Sequence, residues 1–211
     1  MAPAFEPVTP ALLAERLAGW ADRRHPGSSP LRIGLDAPDC ADLGALLAAL
    51  PDALLAVNRP LVLVRASDFY RDASLRLEYG HTDVESFYSG WLDLGALRRE
   101  VLHPIASDGR YLPSLRDPVS NRATRAQPQQ LAGHGVLLLT GALLLGQGLP
   151  LDLSVHVAVS RQARKRLTPP ALQWTLPALD RYDLEVQPSS IADAVVRWDD
   201  ARHPAVRFQR D

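Results

Sequence analysis

The chain has 211 residues, 46% of them hydrophobic and 22% charged, an ordinary make-up for a globular protein that can bury the core of one moderate domain. Its formal net charge of −1 gives no global electrostatic case for binding nucleic acid or an anionic membrane. A single cysteine, Cys40, excludes an intramolecular disulfide and a cysteine-rich zinc site, and no basic-then-apolar signal pattern opens the sequence, so the cytoplasm is the expected compartment.

In chain order, Thr9 or Pro10 opens an amphipathic helix through Leu12, Leu13, Leu17 and Trp20, which ends before the breaker His25-Pro26-Gly27-Ser28-Ser29-Pro30. Residues 1–30 read as an N-terminal helical extension, and 31–211 as one α/β domain. Leu31 to Asp36 has the length and apolarity of a buried strand, and a helix from about Asp42 to Leu50 follows its turn. Leu61 to Ala66 is a second buried strand, running into Ser67-Asp68-Phe69-Tyr70-Arg71. A helix is expected near Leu94 to His103, stopped by Pro104, and Arg110 to Gln130 reads as loop or short β ribbon. Val136 to Gly141 and Leu153 to Val159 are the third and fourth core strands. The apolar run from Val136 to Leu149 falls short of the roughly 20 residues of a spanning helix and reads as strand plus loop. A basic helix, a further helix and a strand finish the chain. This alternation predicts a three-layer α/β fold, a mainly parallel central sheet covered by helices on both faces.

The segment Ile33-Gly34-Leu35-Asp36-Ala37-Pro38-Asp39-Cys40-Ala41-Asp42-Leu43-Gly44 has the outline of a phosphate-binding loop, strand then tight turn then helix. A working loop of the form G-x-x-x-x-G-K-[ST] needs glycines that bring backbone N–H groups to the phosphates, a lysine and a hydroxyl. Here Ala37, Asp42, Leu43 and Gly44 stand at those positions, and Asp42 places negative charge at a helix N-terminus.

Four patches in order resemble the uridine kinase-like branch of the P-loop kinases. They are the loop just quoted with its following helix to Leu47, Leu63-Val64-Arg65-Ala66-Ser67-Asp68-Phe69-Tyr70-Arg71, Glu85-Ser86-Phe87-Tyr88-Ser89-Gly90-Trp91-Leu92-Asp93-Leu94-Gly95-Ala96-Leu97-Arg98-Arg99, and Gly135 to Leu144. Tyr182-Asp183-Leu184-Glu185-Val186-Gln187-Pro188 and Ile191 to Val196 add to the likeness. The resemblance implies a P-loop NTPase-like fold and an ATP-dependent phosphotransferase, with ATP and Mg²⁺ as cofactors if it is active and none otherwise. It implies a degenerate phosphate loop over Ala37, Pro38, Asp39, Cys40, Ala41, Asp42, Leu43 and Gly44. Ser67 takes the place of the family's base and Asp68 comes one residue later. Asp36, Tyr70, Tyr79, Tyr88 and Asp93 become acceptor-binding candidates, and Arg161, Arg164 and Arg166 a basic lid that would clamp phosphate. Thr140 stands where the family's strand-end acid helps organise Mg²⁺.

Each residue also has a plainer reading. Asp68 is either a displaced general base or a turn cap, Asp36 a ligand contact or a turn former, the tyrosines stacking platforms or core, and the arginines an anion site or a solvated helix face. The six histidines show no zinc spacing, so no metal site is expected. Two functions follow: a nucleoside or small-metabolite kinase with unusual ligands, or a non-catalytic pseudokinase that binds a small molecule, a protein partner or a second copy of itself.

Overall fold

The computed structural model describes residues 4–209. Strand β1 (Glu6–Pro7), helix α1 (Pro10–Arg24), β2 (Leu31–Asp36), α2 (Gly44–Ala56) and β3 (Leu61–Arg65) open the chain. A 3₁₀ turn (Ala66–Phe69), helix α3 (Ala73–Arg76) and a π-helical turn (Ser86–Gly90) follow. Then comes one long helical stretch, made of α4 (Leu94–Leu97), a π-helical turn (Arg98–Leu102) and α5 (His103–Asp108). The ribbon of β4 (Arg110–Tyr111) and β5 (Gln129–Gln130) leads to β6 (Val136–Gly141) and β7 (Leu153–Ala158). Helix α6 (Arg161–Leu167), a 3₁₀ turn (Pro170–Thr175), α7 (Leu176–Glu185), α8 (Pro188–Ile191), β8 (Ala194–Arg197) and β9 (Ala205–Phe208) complete it.

Seven of the described strands form one sheet in the order β1-β9-β8-β7-β2-β6-β3. The five strands from β8 to β3 run parallel, and β9 and β1 add antiparallel at one border. Both faces are buried, because alternate side chains of one strand enter different cores. On β6, Val136 and Leu138 join Leu46, Leu50 and Leu54 of α2, while Leu137 and Leu139 pack with Leu97, Val101 and Ile105 on the other side. The central sheet is therefore mainly parallel with helices on both faces, as its sequence predicts. Helix α1, capped by Thr9 Oγ1 accepting the Leu12 N–H at 3.2 Å, buries Leu13, Leu17 and Trp20 in the same core as α2.

Several boundaries differ from those read in the sequence. Helix α2 begins at Gly44 and continues through Pro51 to Ala56, where Leu46, Leu50 and Leu54 share one buried stripe whose apolar contacts outweigh the proline's missing hydrogen bond. Pro104 likewise does not stop its helix. The π-helical turn lets the His103 N–H reach the Arg98 carbonyl, and the Glu100 carbonyl that an N–H at position 104 would have served accepts from the Leu112 N–H at 2.9 Å. The stretch ends instead at Gly109, whose φ of 77° suits a residue without Cβ. Arg110 and Tyr111 pair with Gln130 and Gln129, the short ribbon expected.

Candidate functional site

The carboxyl ends of β2, β6 and β7 converge, with β2 in the middle, and the crevice outside such ends is where open α/β sheets bind ligands. Asp36, the last residue of β2, is 1% exposed there. Its Oδ1 accepts the Leu144 N–H at 2.9 Å, and its Oδ2 takes the Tyr182 hydroxyl at 3.0 Å and meets His156 Nδ1 at 2.7 Å. The Tyr182 oxygen in turn accepts the Leu145 N–H at 2.8 Å. Burial, followed by the charge and hydrogen bond of Asp36, pushes the Tyr182 phenol far above its ordinary range, so it stays a donor. Asp36 and His156 form one wall of a cleft of about 360 Å³, with Pro38, Leu143, Arg164 and Asp183 also lining it.

The loop after β2 closes on itself. The Ala37 N–H donates to the Gly141 carbonyl at 2.8 Å, the Ala41 N–H to the Pro38 carbonyl at 2.9 Å, and the Gly44 N–H to Asp42 Oδ1 at 3.0 Å. Leu43 is buried in the core beneath α2, and the Asp42 carbonyl accepts the Trp198 indole N–H at 3.2 Å. Asp39 and Cys40 border a second cleft of about 140 Å³ walled by Phe87, Trp91 and Trp174. Desolvation by those walls raises the Asp39 carboxyl and, as its largest influence, the Cys40 thiol, which leaves the thiol protonated and poorly reactive.

The other candidates spread over the same sheet edge. Tyr70 packs edge-on against Trp91 at 5.5 Å between centroids, its phenol raised chiefly by burial and also by the charge of Asp39. Tyr70 and Tyr88 line a small crevice of about 30 Å³; the Tyr88 hydroxyl donates to Glu185 at 3.0 Å, and Arg181 stacks 4.2 Å over its ring. Asp93 caps α4 by accepting the Ala96 N–H at 2.8 Å, and Tyr79 is 75% exposed. Ser67 and Asp68 lie on the 3₁₀ turn after β3 and line neither the Asp36 cleft nor the Trp91 cleft. Desolvation raises the Asp68 carboxyl, with Arg65 opposing it and Asp117 adding to it. On α6, the buried Arg164 is held by Asp183 at 2.6 Å and Asp180 at 2.9 Å, Arg161 pairs with Asp180 at 3.1 Å, and Arg166 donates to the Asp199 carbonyl at 3.1 Å. The structure thus brings Asp36, Pro38 and Arg164 into one cleft and Asp39 and Cys40 into its neighbour. It leaves Ser67, Asp68, Tyr79, Asp93, Arg161 and Arg166 outside both.

His156 and Tyr182 are the site residues that sequence reasoning missed. Their partner Asp36 is 120 and 146 positions away, beyond any spacing rule. The one available signal was a histidine set among valines in a strand buried on both faces. Among the described residues, no group of three or more histidine, cysteine, aspartate or glutamate side chains is placed to hold a metal ion, and no helix is long and apolar enough to cross a membrane.

No family model matches the chain, and no curated protein matches it. Solved structures do. A possible uridine kinase from Bacillus stearothermophilus superposes with a TM-score of 0.69 at 15% identity, over 86% of this chain and 96% of that one. A protein described as a fructose transport system kinase, from Silicibacter sp. TM1040, gives 0.59 at 20% identity over 88% and 95%. D-glycerate 3-kinase from Cryptococcus neoformans gives 0.51 at 16% identity over 83% and 80%. At these identities the likeness is one of architecture: the chain shares the α/β fold of these three structures, a mainly parallel sheet with helices on both faces.

Proposed function

We propose that this chain is a small-molecule-binding protein on a kinase scaffold, a pseudokinase whose phosphate loop no longer holds a nucleoside triphosphate. The observation that carries this reading is a phosphate loop that has acids in place of a cation and part of its N–H set already engaged. A phosphate loop works by leaving several backbone N–H groups free and supplying a cation. Here the N–H groups of Ala37, Ala41 and Gly44 are already engaged, Pro38 has none, and Asp39 and Asp42 add negative charge. Lys165, the one lysine of the sequence, is on α6 rather than at the loop. Thr140, near the end of β6, pairs with Leu35 and Arg65 in the register and offers no carboxylate for Mg²⁺. The residues present therefore do not fit ATP with Mg²⁺. The cleft beside Asp36 lies within the size range of small-ligand pockets and is lined by polar and apolar residues in similar measure.

A second reading, a phosphotransferase acting on a nucleoside or small metabolite, draws on the similarity to a possible uridine kinase and to D-glycerate 3-kinase. It is favoured by Asp68, whose carboxyl is raised by desolvation and makes no hydrogen bond to the described residues, as suits a general base. Calorimetric titration with ATP, with and without Mg²⁺, separates the two. Silence in both titrations is expected. Metal-dependent binding would overturn the pseudokinase reading and restore the kinase.

A further inference from the structure

His156 is 6% exposed and lies on a strand whose neighbouring side chains are valines, so its polar ring is an expense to the fold unless both nitrogens are used. Nδ1 is used: an ionised Asp36 accepts only, and with Leu144 and Tyr182 already donating to it, the imidazole must donate from Nδ1 as well. In the neutral ring this leaves the lone pair on Nε2. That atom has no hydrogen-bond partner among the described residues. Trp20 and Trp91 each seal an unpartnered indole N–H in the interior and Arg164 an unpartnered Nε, whereas His156 lines the cleft.

The charges around the cleft set what can approach that lone pair. Two carboxylates, Asp36 and Asp183, line it against one guanidinium, Arg164, and that guanidinium is held by Asp183 and by Asp180 just behind. The balance is acidic, and the free group facing the opening is an acceptor. An anion would meet a net negative lining in a partly desolvated space. A cation bearing N–H donors would meet complementary groups.

We propose that this cleft binds a small organic ammonium compound, its N–H donating to His156 Nε2 and its charge balanced by Asp183, with the carbon stem against Pro38, Leu143 and Leu179. Asp36 and Tyr182 are positioning residues that hold the imidazole with Nε2 outward. The inference rests on the reading of this cleft as a ligand site and not on the fate of the phosphate loop.

The test is calorimetric titration of the full chain with 1,4-diaminobutane and, separately, with succinate, a dianion of the same carbon length. Binding of the diamine and not of succinate is expected. His156→Asn keeps a donor for Asp36 at the Nδ1 position and removes the Nε2 acceptor, and should weaken the diamine at least tenfold. Asp183→Asn should weaken it too, while Asp180 still holds Arg164. Thermal melts verify that both variants fold. No heat with the diamine, succinate binding as tight as the diamine, or a folded His156→Asn that binds like the parent would each overturn the proposal. ATP titrations do not enter these outcomes, so metal-dependent ATP binding would sink the pseudokinase reading and leave this one standing.

Discussion

The two ends of the parallel sheet each bury a polar node, and the nodes differ in one respect. At the amino end, Arg59 is 2% exposed and makes four hydrogen bonds: Nε to Asp22 at 2.9 Å, and its terminal nitrogens to the carbonyls of His134 at 3.2 Å, Gly27 at 3.1 Å and His25. It ties the end of α1, the segment before β2 and the turn before β6 into one knot. At the carboxyl end, Asp36, Tyr182 and His156 are knotted as closely, yet His156 lines a cleft and its Nε2 has no partner among the described residues. A node in which every nitrogen has a partner is a clasp. A node with one free valence is a candidate site, and burial alone does not tell the two apart.

Substitutions can break or sharpen this contrast. The largest effect is expected from Arg59→Ala, which leaves three carbonyls without their donor, breaks the pair with the half-exposed Asp22 and should lower the unfolding free energy by about 4 kcal/mol in urea melts. A loss below about 1 kcal/mol would mean that water replaces the clasp without penalty. Tyr182→Phe removes one of the donors to Asp36 and the oxygen that satisfies the Leu145 N–H, for an expected loss of about 2 kcal/mol. If its loss equals that of Arg59→Ala, the carboxyl-end node is a clasp too and the contrast fails.

A smaller, pH-dependent effect is expected at Asp152, beside the amino end. Burial alone would raise its carboxyl, but this is outweighed by Arg32, which donates from its backbone N–H and side chain, so the carboxyl sits below the ordinary aspartate value. A depressed folded value contributes stability that is present above the unfolded pKa, ~3.9, and lost as pH falls through the lower folded one. Melts between pH 5 and pH 2 should show the parent losing more stability on acidification than Asp152→Asn. Parallel curves would remove the Arg32 pair from the account.

Much of the architecture was legible because its causes are local. Continuous apolar runs marked β2, β6 and β7, since a strand buried on both faces has no polar phase; β3 reads the same way in the sequence but lies at the border of the sheet, where of its five residues Val64 alone is fully buried and Leu63 is 38% exposed. Thr9 before Pro10 marked the start of α1. Where local rules were overruled, tertiary contacts were responsible. Pro104 would end an isolated helix, but the Glu100 carbonyl finds Leu112 in a different segment. The short antiparallel strands β1 and β9 depend on each other across about two hundred positions and left little pattern of their own. The site was harder still to see. The outline of the loop could be read from Ile33 to Gly44, but what its N–H groups bond to could not, and Asp36 looked like a turn former because both of its side-chain partners come from the far half of the chain.

Strand β1 has a consequence for how the molecule lives among copies of itself. A sheet border recruits another chain by offering a row of free N–H and C=O groups. This border ends in a rung of two residues, one of them Pro7, which has no N–H to offer, and the other Glu6, held by Arg16 at 2.7 Å. The Ala205–Phe208 strand lies one place inward, and its first two residues, Ala205 and Val206, pair with that rung. Glu6 and Pro7 thus act as a gatekeeper over Ala205 and Val206, closing that part of the border to templated aggregation.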